Sequence, residues 1–375
     1  MHKILIILST FFISCSQQQE IGNSLTVITF DKTKESHWNV DSLECKFIPL
    51  ETTDDCLLGS IVNIQFYNNH IFITDGDQNG RVFEFDNQGK YITQIGHLGD
   101  GPGGYLMPLK IHIDEKNNLL SIADIRLNRL THYRLNDYQY VSQQSLFNFY
   151  DCIWLEDGNI LWYDLVGFDA GRRKIYPIYI TNTDLEDISY LGNIPKNSPY
   201  CMGVHTLYQY DHKTYVSFPY RPTVYSVTST DIKPVYTISF GKQEMPPEEY
   251  ISDVIQKRGA VGPDMLLKSD YVNSFIMHEN NNYLAISYFV RIQNSTIGFY
   301  NKKTKETNTF HMKDFSKKFG IIGGFYIIGT YDDYFVMCLS AKDLKSKPTF
   351  REDLNQIADK ISEEDNPVLC LFKPK

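Results

Sequence analysis

The sequence predicts an all-β fold, a six-bladed β-propeller with two short helical insertions. Three observations predict it. A short apolar strand, usually with a turn-forming Asn or Asp just ahead of it, recurs six times along the chain. The copies lie roughly 40 to 70 residues apart, which suits units of about four strands with some insertions between them. Finally, the chain is 14% aromatic, with Tyr and Phe dominating. Together with Val, Ile and Thr these residues favour strands, and the Asn, Asp and Gly clusters between them favour turns.

Taken in order, the chain begins with a cation, Lys3, and an almost unbroken apolar run from Ile4 to Ile13, and then turns polar at Ser16-Gln17-Gln18-Gln19-Glu20. A positive start, a short apolar stretch and a small residue before the cut describe a secretory signal over residues 1–14. The run is about half the roughly 20 residues needed to span a bilayer. Phe12-Ile13-Ser14-Cys15 resembles the lipobox of bacterial lipoproteins, with Phe12 where Leu is usual. The resemblance implies cleavage before Cys15 and lipidation of that cysteine, which would hold the protein on a membrane. Residues 15–40 are then expected to be the lipidated N-terminus and tether, and residues 41–375 the propeller.

The recurring strands are His70-Ile71-Phe72-Ile73-Thr74-Asp75, Leu119-Leu120-Ser121-Ile122-Ala123-Asp124 and Asn159-Ile160-Leu161-Trp162-Tyr163-Asp164. Weaker copies begin at Thr214, Tyr283 and Tyr334. After the first copy, Arg81-Val82-Phe83-Glu84-Phe85 alternates as a strand and Asp86-Asn87-Gln88-Gly89 forms a turn. Arg129 to Asp137 repeats that pattern after the second. Between the fourth and fifth copies, proline followed by acids and a basic end at glycine reads as a helix, within about 245–268. A second helical insertion is expected over 349–363, with Leu354, Ile357 and Ile361 on one face. The last strand, Pro367-Val368-Leu369-Cys370-Leu371-Phe372, is expected to close the ring against an N-terminal strand from residues 46–50.

Several segments carry a family resemblance: Leu57-Leu58-Gly59-Ser60-Ile61, the first recurring strand, Phe85-Asp86-Asn87-Gln88-Gly89-Lys90, Ile95 through Tyr105, and Glu363-Glu364-Asp365-Asn366-Pro367. Together they look like the six-bladed β-propeller lipoproteins of Bacteroidetes, related in shape to NHL and TolB-like propellers. The resemblance implies the fold and an exported protein, lipid-anchored to the cell envelope at the outer membrane. It implies no reaction. That family usually has Glu in the G-P-G-E-Y position, where this chain has Gly104.

A net charge of −9 argues against a nucleic-acid partner, which needs clustered Lys and Arg. Beyond Cys15, the cysteines Cys45, Cys56, Cys152, Cys201, Cys338 and Cys370 are scattered without metal-binding spacing. Gly99-Asp100-Gly101-Pro102-Gly103-Gly104 matches G-x-G-x-x-G, but a strand follows it rather than the helix a dinucleotide site needs, so it reads as a sharp inter-blade loop.

Asp75, Asp124 and Asp164 recur at equivalent blade positions. Gathered about an axis they could hold Ca²⁺; the preferred reading is that each orders the loop after its strand by accepting backbone N–H bonds. With Tyr105 they form the candidate binding set at the propeller mouth. His97, His112, His132, His205, His212, His278 and His311 could converge in the folded ring, although nothing in their spacing supports it. No catalytic constellation, metal set or G-x-S-x-G elbow stands out. The expected function is a non-catalytic binding or scaffold module for a glycan, peptide or protein partner, tied to the membrane through its lipid and without a cofactor. The alternative is a metal-dependent propeller hydrolase or lyase acting at the central mouth.

Overall fold

Short strands, the inner ones buried on both faces, assemble into six sheets arranged as blades. The computed structural model describes residues 25–31, 42–76, 80–164, 177–192, 206–257, 261–290, 294–320, 327–346, 349 and 351–375. The signal segment and Cys15 lie outside them, as does Cys201. Two strands precede the first blade, β1 (Thr26–Thr29) and β2 (Leu43–Pro49). Blade one is β3 (Ile61–Tyr67), β4 (His70–Asp75), β5 (Val82–Asp86) and β6 (Tyr91–Gln94). A short parallel pair, β7 (His97–Leu98) and β8 (Gly104–Tyr105), links it to blade two. Blade two is β9 (Pro108–Asp114), β10 (Leu119–Asp124), β11 (Arg129–Arg134) and β12 (Tyr140–Ser145). Blade three is β13 (Asp151–Trp154), β14 (Ile160–Tyr163), β15 (Ile178–Thr181) and β16 (Asp187–Leu191). Blade four is β17 (Thr206–Tyr210), β18 (Lys213–Ser217), β19 (Thr223–Val227) and β20 (Ile232–Ser239). Blade five is β21 (Val272–Glu279), β22 (Tyr283–Val290), β23 (Asn294–Asn301) and β24 (Thr307–His311). Blade six is β25 (Gly329–Tyr331), β26 (Tyr334–Leu339) and β27 (Val368–Pro374), completed by β2.

The six recurring segments are the second strands of the six blades: β4, β10, β14, β18, β22 and β26. They are the most apolar because each is flanked by strands within its blade and covered on both faces by neighbouring blades. In β4 every residue from Ile71 to Asp75 is buried. Apolar clusters fill the spaces between blades, such as Phe72, Val82, Ile111, Ile122 and Tyr133 between blades one and two.

The ring closes by pairing the two ends of the chain. β2 runs antiparallel to β27 from Leu43 opposite Pro374 to Pro49 opposite Val368, as the terminal strands predict. Just beyond this pair, the buried Asn366 side chain accepts from the Leu58 N–H at 2.7 Å and donates to the Glu51 and Cys56 carbonyls at 2.7 and 3.0 Å.

The structure departs from the expected tether over part of its length. Residues Thr26–Thr29 are a strand, β1, which pairs in parallel with β20 and gives blade four a fifth strand. Its alternation explains this: Val27 faces solvent while Ile28 and Phe30 are buried between blades four and five. Phe30 sits against Gly298, where no β-carbon would fit.

The first helical insertion holds two helices, α1 (Glu248–Gln256) and α2 (Val261–Lys268). Pro247 precedes α1, and Glu248 and Glu249 in its first turn suit the positive end of the helix. Ile251, Val254 and Leu266 pack with Tyr220. Two further short helices, α3 (Met312–Phe319) and α4 (Ala341–Ser346), were not anticipated. The second expected insertion is α5 (Glu352–Ala358), which buries Leu354 and Ala358, with Ile357 and Ile361 packed partly against the same cluster. Among the described residues, no helix is long and apolar enough to cross a membrane.

Candidate functional site

The residues expected at the propeller mouth are buried and engaged in holding loops. Asp75 Oδ1 accepts from the N–H groups of Gly59 and Ser60, at 3.1 and 3.0 Å, just ahead of β3. Asp124 accepts four such bonds: Oδ2 from Leu106 and Met107 at 2.6 and 2.8 Å, and Oδ1 from Arg126 and Leu127 at 2.8 and 2.7 Å. Each carboxylate thus ties the loop leaving its strand, or the loop entering the same blade, to the end of the second strand. Asp164 is likewise buried at the end of β14. Tyr105 has no exposed surface; its hydroxyl donates to the Ile95 carbonyl at 2.8 Å and accepts from the Val82 N–H at 3.2 Å. Of the candidate set, Tyr105 is thus an inward-facing residue that ties the inter-blade loop to β5. Among the described residues, no three His, Cys, Asp or Glu side chains gather as a metal site.

The glycine-rich segment folds back on itself as an inter-blade loop. The Gly99 N–H bonds the Tyr105 carbonyl at 2.9 Å and the Gly104 N–H bonds the Gly101 carbonyl at 3.0 Å. Arg129 clasps the loop through the carbonyls of Asp100 and Gly101 at 2.9 and 3.2 Å. A β-carbon on Gly104 would stand 2.5 Å from the Gly99 carbonyl oxygen. The glycine at this place is therefore required by the close approach of the two backbones. Gly104→Glu is expected to cost about 2 kcal/mol through overpacking, read as a lowered melting temperature; an unchanged one would show that the loop yields freely.

A cleft of about 840 Å³ opens at the other end of the blades, between blades two and three. Its wall follows from strand register. Ser121 on β10 lies opposite His112 on β9 and His132 on β11, and His132 lies opposite Ser142 on β12. One row across blade two is therefore His112, Ser121, His132 and Ser142, all facing blade three. Deeper on the same face, Ala123 and Leu130 pack with Cys152, Trp154 and Trp162 of blade three.

The row is held in a defined hydrogen-bond sense. The Gln144 amide donates to the Thr183 carbonyl at 3.1 Å, bridging to a turn of blade three. Because a carbonyl only accepts, the Gln144 oxygen faces His132 Nε2, at 3.4 Å. That fixes the proton on Nε2, so His132 Nδ1 accepts from the Ser121 hydroxyl at 2.7 Å. On the inner side, His112 stacks on Trp154 with ring centres 4.4 Å apart and planes 4° from parallel. Burial pushes the His112 imidazole down to about 4 and lowers His132 as well, so both rings are neutral at pH 7.

The charged groups buried at two other blade interfaces are paired. Lys302 binds the buried Glu279 carboxylate at 2.8 Å, and Tyr208 donates to it at 2.6 Å. Lys110 meets Asp151 at 3.3 Å. His112 differs: its ring has no hydrogen-bond partner among the described residues, although it lines the cleft. The Ser121–His132 pair does not make an acyl-transfer site. Ser121 lies in a central strand whose backbone amides serve ladders on both sides, so no free N–H pair faces its hydroxyl to hold an oxyanion.

Of the histidines named from sequence, the structure brings His112 and His132 to one surface. Sequence reasoning missed Trp154, Ser121, Ser142 and Gln144. The available signal was the period-two placement of His112 between Ile111 and Ile113, and of His132 between Thr131 and Tyr133, which sets polar residues on faces that blade packing would fill with apolar ones.

Residues 16–338 match the profile of the family DUF5128, described as a 6-bladed β-propeller. Among solved structures, a "Putative exported protein" from Bacteroides fragilis is 28% identical with a TM-score of 0.85, covering 93% of this chain and 100% of that one. A member of the DUF4221 family from Bacteroides vulgatus shares the fold at 11% identity, with a TM-score of 0.54 and coverage of 88% and 96%. No curated protein matches the chain.

Proposed function

The chain belongs to the six-bladed β-propeller family whose profile it matches, and we propose that this member is an exported, lipid-anchored binding protein whose site is the cleft between blades two and three. The observation that carries the reading is His112, a neutral imidazole held flat on Trp154 on the cleft wall, with no hydrogen-bond partner among the described residues. Its ring lines the open cleft, where a ligand hydroxyl can take the place of water. The volume falls within the roughly 300–1,000 Å³ usual for small-molecule sites.

Export is supported by the apolar N-terminal run and by the likeness to the Bacteroides fragilis protein. Lipidation at Cys15 would place an anchor ahead of β1. β1 runs parallel to β20, which starts from a turn at the cleft end of blade four, so the chain enters the ring at that end. The ten or so residues between Cys15 and β1 span at most about 35 Å. That end of the propeller then stays within this reach of the membrane.

Two measurements test the reading. Cys15→Ala is expected to move the protein from the membrane to the soluble fraction; unchanged partition removes the anchor. A thermal-shift screen of the mature chain is expected to find a ligand whose shift weakens in His112→Ala. At about 100 times its dissociation constant, a ligand adds about 2.7 kcal/mol, and a tenfold loss of affinity should halve that. A shift identical in the variant places the site elsewhere.

A further inference from the structure

We propose that the ligand of this cleft is an uncharged sugar, its hydroxyls bonded to His112 and Ser142, the two ends of a row whose middle members, Ser121 and His132, bond each other. The inference rests on the cleft being the binding site and adds the class of ligand.

The argument is one of donor and acceptor matching. A sugar hydroxyl donates and accepts at once. A serine hydroxyl does the same, and a neutral imidazole carries one donor and one acceptor nitrogen. An anion would need donors alone, and a cation acceptors alone. The wall offers neither set, because both imidazoles are neutral and the remaining groups are hydroxyls and amides.

The rim sharpens the choice. Asp114, Glu115, Glu156 and Asp157 line it, with Lys116 as the one Lys or Arg among the lining residues. This excess of negative charge repels uronates, sulfates and phosphates. The acids are poorly placed to capture a cation instead. Asp114 already accepts from the backbone and side-chain amides of Asn117 at 3.0 and 2.7 Å. Asp157 accepts from the Asn159 N–H at 3.1 Å and the Ser229 hydroxyl at 2.5 Å. Glu156 projects into solvent beside His212. The committed carboxylates exclude anions, and the amphoteric groups of His112 and Ser142 read hydroxyls.

The test is calorimetric titration of the mature chain with neutral malto-, cello-, manno- and xylo-oligosaccharides, oligogalacturonate and trilysine, in about 50 mM and 500 mM NaCl. Two variants accompany the wild type. His112→Ala removes the unpartnered ring, and Ser142→Trp fills the cleft from an exposed position on β12, where bulk leaves the core untouched. At least one neutral oligosaccharide is expected to bind, with less than about a twofold change in affinity between the two salts. Both variants are expected to weaken it about tenfold or more, the worth of one or two hydrogen bonds. If oligogalacturonate or trilysine binds instead and both variants weaken it, the sugar assignment falls while the cleft stands as the site. If no probe binds, or binding is blind to both variants, the sugar assignment and the cleft fall together.

Discussion

Asn366→Ala is expected to lower the stability of the propeller by about 3–5 kcal/mol. The side chain is buried at the junction of the two chain ends and makes three bonds to backbone groups of the segment after β2. Its own N–H binds Thr52 Oγ1 at 2.7 Å. Truncation leaves the Leu58 N–H and the Glu51 and Cys56 carbonyls without their partner, at about 1–3 kcal/mol for each buried group left unsatisfied. The effect concentrates where the ring closes, because among the described strands β2 pairs with β27 alone. Urea unfolding should show a lower midpoint with an unchanged slope. Asn366→Asp keeps an acceptor for Leu58 and loses both donors, and should also be destabilised. A loss under about 1 kcal/mol in Asn366→Ala would show that strand pairing alone closes the ring.

Asp124→Ala is expected to cost a similar amount, about 3–5 kcal/mol, because its carboxylate accepts from four backbone donors. Asp75→Ala is expected to be destabilised for the same reason, through Gly59 and Ser60 at least. If these carboxylates instead existed to hold Ca²⁺, the ion would stabilise the wild type and the substitutions would matter only in its presence. The expected result is equal destabilisation in EDTA and in Ca²⁺. A wild-type melting temperature that rises with Ca²⁺, and variants that match the wild type in EDTA, would restore the metal reading.

The parts of the fold legible in sequence are those with local and repeated causes. The second strand of each blade is covered on both faces, so it reads as a short apolar run, and all six runs fall within two residues of the observed strand ends. The closing pair was legible because a terminal strand in a ring needs a partner. β1 was not, since four residues with two buried side chains give too short a pattern to stand out beside a polar leader. α3 and α4 are equally short, and their packing against blades five and six, rather than periodicity, sets them. Asp124 was read correctly as a loop-ordering residue, because an Asp at a strand end has a local use. The cleft was hidden for the opposite reason. His112, Ser121 and His132 become neighbours only through strand register, and Trp154 arrives from the next blade. Each was visible in the sequence as a polar residue or a tryptophan in a strand; what places them together is not local.

The same contrast separates structural from functional polar groups here. Asp75, Asp124, Glu279 and Asn366 are buried and engaged, which is what stability demands. His112 is held by its stack on Trp154 with its hydrogen-bonding capacity unspent.

The most direct measurement is a crystal structure of the mature chain with the neutral oligosaccharide that binds it best. The account predicts sugar density between blades two and three, with a hydroxyl bonded to a ring nitrogen of His112 and another near Ser142. Sugar in the central channel or over the loops that Asp75 and Asp124 hold, with His112 still without a partner, would contradict it.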